Sequence, residues 1–141
     1  MSRSPIEKLK VALTRNVAFT TPDAGDEHLG GRTYAVPFEH VWQASLRLVG
    51  GGLKRWEVTE ADDHEGIIRG LAHGLLERHT SAITVRITLD LNAQTRVDAM
   101  AASRVGRGDL GRNARRLELF FRSLDRALTA ARGHPVQRVD R

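Results

Sequence analysis

Two hydrophobic periods alternate along the chain. Phe38, Val41, Trp42, Leu46 and Val49 recur at three-to-four spacing, which predicts an amphipathic helix over 37–49. Pro37 presets its first turn, and the glycines at 50–52 stop it, because glycine tolerates the left-handed cap. The period then drops to two. Trp56 and Val58 share one side of a strand over 53–60, and the turn-rich "ADDHEG" that follows reads as a hairpin loop. A second strand over 66–77 alternates poorly. Ile67, Leu71 and Leu75 take one side, while Gly70, Ala72 and Gly74 leave the other side low enough for a helix to approach. The third strand is the clearest: Ile83, Val85, Ile87, Leu89 and Leu91 point one way and Thr84, Arg86, Thr88 and Asp90 the other. A fourth runs from Thr95 to Val105 with Val97, Ala99 and Ala101 inward. The period returns to 3.6 in a long helix over about 110–131, where Leu117, Phe120, Phe121, Leu124 and Leu128 form the apolar face.

The ends carry less pattern. Ser4, Pro5 and Glu7 read as a capping box opening a short N-terminal helix with Ile6, Leu9 and Leu13 on one face. Residues 15–32 lack a period and read as loop, and "RTYAV" at 32–36 as a short edge strand. Four strands joined by short loops must be antiparallel, since parallel neighbours need long crossovers. The expected fold is therefore α+β and two-layered: a four-stranded antiparallel meander with N-terminal and C-terminal helices on one face, the last helix lying across the sheet in a helix-grip manner. The other sheet face is expected to be partly wet. Length favours one domain over 1–141, with residues 1–14 a short helix, about 15–130 the core and 132–141 a tail.

Composition narrows the chemistry. There is no cysteine, which removes disulfides, thiolate metal sites and cysteine nucleophiles. No apolar run approaches the ~20 residues of a membrane span, so the chain is expected to be soluble and cytoplasmic, with a membrane-associated or exported context left open. Net charge is +5, carried by arginine far more than lysine. The excess is local: Arg104, Arg107, Arg112, Arg115 and Arg116 face Asp109 alone within 103–116.

That basic stretch holds "VGRGDLGRN", a G-x-G-x-x-G match at Gly106, Gly108 and Gly111. A dinucleotide loop needs a parallel strand after the helix, and only ten residues follow Ala131. The stretch reads as a strand-to-helix turn, with Asp109 as the N-cap of the last helix and the embedded R-G-D as a chance tripeptide. A helix N-terminus ringed by arginines is also a candidate anion site. Ser103, Arg104, Arg107, Asp109, Arg112, Asn113 and Arg116 are thus candidates for an anion-binding or a structural motif.

Other chemistry is thin. Asp62, Asp63, His64 and Glu65 lack the spacing of a calcium loop. The histidines show no H-x-H or H-E-x-x-H pairing, so no metal or cofactor is expected. No nucleophile-elbow or S-x-x-K pattern occurs, and no catalytic residue is singled out.

Four runs carry a resemblance: "NVAFTTP" (16–22), "RTYAVPFEHVWQASLRL" (32–48), "ADDHEGIIR" (61–69) and "SRVGRGDLGRNARRL" (103–117). The most specific is S-R-x-G-x-x-D-x-G-x-N-x-x-R, met by Ser103, Arg104, Gly106, Asp109, Gly111, Asn113 and Arg116. Over about 15–130 the chain resembles the domain of unknown function numbered fourteen ninety-nine, a family of bacterial and plant plastid proteins. The resemblance implies that the glycine-rich turn is a family signature of the strand-to-helix junction, and it implies no activity. A non-enzymatic binding or interaction module is the leading expectation, holding a small apolar or anionic ligand or a protein partner. The alternatives are a phosphorylated ligand at 103–116, or an enzyme using that junction. Nucleic acid is disfavoured, because the basic residues are not interleaved with exposed aromatics.

Overall fold

The computed structural model describes residues 27–76, 79–103, 110–132 and 138–139. The expected N-terminal helix, the turn at 104–109 with its Asp109 cap, and most of the C-terminal tail lie outside these residues. The element order is β1 (Glu27–Tyr34), α1 (Phe38–Arg47), a wide turn (Leu48–Gly52), β2 (Trp56–Asp62), β3 (Ile67–Ala72), β4 (Ser81–Leu89), β5 (Thr95–Ser103), α2 (Leu110–Arg132) and the two-residue β6 (Arg138–Val139).

The fold is α+β: one antiparallel sheet of five long strands in the order β2-β3-β4-β5-β1, with β6 beyond β1, and two helices. The meander of β2 to β5 matches expectation. The fifth strand corrects it. Residues 27–32 are not loop, and β1 is not a short edge strand. All eight of its residues pair with β5, from Glu27 opposite Ala102 to Tyr34 opposite Thr95. Gly30 and Gly31 hide this strand, because glycine signals a break in a short-range reading and here permits close approach. A Cβ on Gly30 would sit 3.3 Å from the Phe121 ring, and one on Gly31 would sit 2.6 Å from both the Arg96 guanidinium and the Asp98 carboxylate.

Helix α1 begins after Pro37, whose carbonyl accepts from His40 and Val41 N–H. It ends in the wide turn, where Leu53 N–H reaches back to Leu48 and Gly51 adopts φ 119°, a conformation only glycine takes without strain. Both helices cover one face of the sheet. Ile68, Ala72, Ile83, Val85, Ile87, Val97, Ala99 and Ala101 from the strands meet Val41, Trp42, Leu117, Phe120, Leu124 and Leu128 from the helices, all buried. Gly70 faces this layer too, and a Cβ there would press on Val49 at 2.6 Å. The small side of β3 thus admits the segment after α1, as its pattern predicts.

The second sheet face, expected to be partly wet, is mixed, with its driest part on β1 and β5. Leu29, Thr33, Thr84, Asp98 and Met100 are buried there, and Arg86 and Thr88 are half-buried. Among the described residues no helix lies over it.

Candidate functional site

Ser103 ends β5 opposite Ser81, the first residue of β4. Asn113 lies in the first turns of α2 above both. Its amide nitrogen donates to Ser103 Oγ at 3.1 Å, and its carbonyl oxygen accepts from Ser81 Oγ at 2.5 Å. Arg116, one turn on, donates to the same Ser81 Oγ at 2.5 Å. Asn113 and Ser81 are fully buried. A buried amide left unbonded costs stability, so this chain of bonds fastens α2 to the adjoining ends of β4 and β5. Three of the candidates are therefore brought together as a stitch. Arg112 is half-buried on the same turn, and Arg104, Arg107 and Asp109 lie outside the described residues.

A second polar cluster sits on the other sheet face, and nothing in the sequence reading marked it. Arg96 and Asp98 are two apart on β5, so their side chains share a face. The guanidinium grips the carboxylate with two bonds: Nε to Oδ2 at 3.0 Å and Nη2 to Oδ1 at 2.8 Å. Arg96 Nη1 reaches Thr33 Oγ1 on β1 at 3.4 Å, and Gly31 leaves the room this requires. Burial raises the Asp98 carboxyl from 3.8 to about 6, against the opposing pull of Arg96 and Arg86. At neutral pH the pair is therefore charged and closed on itself.

Glu57, His73 and Thr80 form a carboxylate–imidazole–hydroxyl row on the same side, with His73 Nε2 at 2.8 Å from Glu57 and Nδ1 at 3.3 Å from Thr80 Oγ1. Such a row is the outline of an activated nucleophile. Thr80 is 6 % exposed, too enclosed to meet a substrate, so the row ties the end of β3 to the start of β4. Asp62 caps its own hairpin, accepting from His64 and Glu65 N–H at 3.0 and 3.2 Å. Among the described residues no group of acids and histidines is placed to hold a metal.

An open groove of about 540 Å³ lies between β1 and α2. Gly30 and Arg32 line one wall, and Leu117, Glu118, Phe121, Arg122 and Asp125 the other. The Arg32 guanidinium lies 4.9 Å over the Phe121 ring, a cation–π contact. Phe121 meets Phe120 edge-on at 5.3 Å, and Phe120 stacks on Trp56 at 6.2 Å, so the aromatic wall is braced by the core. Tyr34 OH donates to Asp125 at 2.6 Å and fixes the position of that carboxylate. Glu118 and Arg122 are exposed on α2 and make no ion pair among the described residues. The groove thus offers an apolar floor, an aromatic face and charges of both signs. The local pattern hides it, because Gly30 lies in a stretch read as loop and Arg32 opens one read as a short edge strand, while Glu118, Arg122 and Asp125 look like the solvated side of a helix.

No helix in the described residues is long and apolar enough to cross a membrane. No curated protein matches the chain significantly. The family described as "Protein of unknown function (DUF1499)" matches residues 11–124, most of the chain and all of the stitched junction, and the protein belongs to that family.

Proposed function

We propose that the protein is a non-catalytic binding module whose ligand site is the groove between β1 and α2. The observation that carries this is a contrast: the Ser81–Ser103–Asn113 and Arg96–Asp98 clusters are bonded internally, whereas Glu118 and Arg122 stand exposed at the rim of a groove of about 540 Å³ floored by Leu117 and Phe121. The lining is mixed and more polar than apolar: Ala114, Leu117 and Phe121 supply apolar surface, and Arg32, Glu118, Arg122 and Asp125 supply charges that would orient a ligand. In this reading α2 grips the sheet in the helix-grip manner, and its outer side serves the ligand. An anion site at 103–116 has less support, because Ser103, Asn113 and Arg116 already bond within the fold.

Thermal-shift screening of a diverse fragment set against the wild type and Glu118→Lys tests the proposal. Stabilising fragments that lose their effect in the variant, with an unchanged Tm in their absence, support it. Hits indifferent to the substitution would sink it, as would turnover of any substrate that a point change abolishes.

A further inference from the structure

Resting on the groove as the binding site, we infer that its occupant is an extended segment of a partner protein, added to the sheet as an antiparallel strand beside β1. The first ground is the edge itself. One side of β1 is paired with β5 along its whole length. On the other side β6 pairs only with Thr33 and Tyr34, in the antiparallel sense. Among the described residues no strand lies beside Glu27–Gly31 on that side. At ~3.3 Å per residue this is roughly 16 Å of edge, enough to receive four or five residues. The short pairing with β6 demonstrates that this edge accepts a strand and sets the direction in which a longer one would continue.

The second ground is what lies beside the edge. Gly30 belongs both to this stretch and to the groove wall. The space above Gly30 and Gly31 is filled by Phe121 on one face and by Arg96 and Asp98 on the other, so an added strand would pair in the plane of the sheet. Side chains of an added strand alternate, so every second one would lie on the helix face, and the one beside Gly30 would approach Leu117 and Phe121. In strand addition the main chain supplies affinity and such pockets supply selectivity. The pocket here selects an apolar side chain. The rim selects charge: Glu118 and Arg122 stand one turn apart on α2, both exposed, and favour a segment whose apolar residue is flanked by charges of opposite sign.

The test uses the full chain and a random peptide library displayed on phage, with peptides of about 12 residues, long enough to overrun the edge. The tightest selected peptide is synthesised, and its affinity is measured by fluorescence polarisation against the wild type, Glu118→Lys and Arg122→Glu. Both substitutions are at exposed helix positions and should leave the fold intact. Each backbone nitrogen of the peptide is then methylated in turn. The expected result is binding about 10-fold weaker in at least one charge reversal, with methylation losses at every second position over four or five consecutive residues. Weaker binding in a charge reversal without that alternation overturns strand addition and leaves the groove standing. Indifference of every selected peptide to both reversals overturns strand addition and the groove together.

Discussion

Helix α2 carries two polar regions that treat their side chains in opposite ways. At its N-terminal end Asn113 is fully buried and spends both ends of its amide on Ser81 and Ser103, with Arg116 closing on the same serine. Two turns further on, Glu118 and Arg122 stand in solvent beside a groove whose floor is Phe121. The first region is saturated and has little left for a ligand. The second holds its aromatic and acidic groups in place, through Phe120 and Tyr34, and leaves its rim open. Ser103, Asn113 and Arg116 of the signature thus bond within the fold, and the groove proposed as the binding site lies among residues outside that signature.

The comparison can be broken by substitution. The largest effect is expected at the other saturated cluster, on the second sheet face. Arg96→Ala leaves the Asp98 carboxylate buried without its partner and should cost about 3–5 kcal/mol in urea unfolding. Replacing both members, Arg96→Met with Asp98→Leu, should recover most of that loss, because removing the pair also removes its desolvation cost. A double variant as unstable as the single one would show that the cluster does more than satisfy itself.

The next largest effect is expected from pH. Asp98 titrates at about 6 in the folded protein and at 3.8 when unfolded, so the folded state binds this proton more tightly. Its contribution to stability is full below 3.8 and is lost as pH rises through about 6, a change of up to about 3 kcal/mol. Unfolding free energies at pH 4 and pH 7 for the wild type and Asp98→Asn should isolate this loss, with the larger decrease on raising pH in the wild type. Equal decreases in the two proteins would remove Asp98 as its source.

At the junction, Asn113→Ala strips partners from two serines and should destabilise by about 1–3 kcal/mol without weakening a groove ligand. The smallest change is expected from Tyr34→Phe, which deletes one hydrogen bond at the groove. A cost of about 1 kcal/mol is expected, together with weaker binding as Asp125 loses its anchor. Unaltered binding would mean that the position of Asp125 does not matter to recognition.

The sequence is legible where burial follows a local period. The alternation of Ile83, Val85 and Ile87 and the stripe from Leu117 to Leu128 both lie in the observed core. It is illegible where distant contacts decide. β1 has no alternating apolar pattern, and its strand state depends on β5, from Glu27 opposite Ala102 onwards. Arg96 and Asp98 alternate correctly with Val97 and Ala99, but alternation alone cannot distinguish a solvated face from one where charges are buried and paired. The signature residues could be recognised as a unit. Their shared partner Ser81, 32 positions from Asn113, could not. The groove is the extreme case, since Tyr34 and Asp125 meet across 91 positions.

The most direct test is amide-resolved NMR of the isotope-labelled protein, titrated with fragment hits and repeated on Arg122→Glu and Asn113→Ala. The predicted result is a cluster of shifts at Gly30, Arg32, Leu117 and Phe121, abolished by Arg122→Glu and retained in Asn113→Ala. Shifts centred instead on Ser103, Arg112 and Arg116, indifferent to Arg122→Glu, would contradict the groove and return the binding site to the junction.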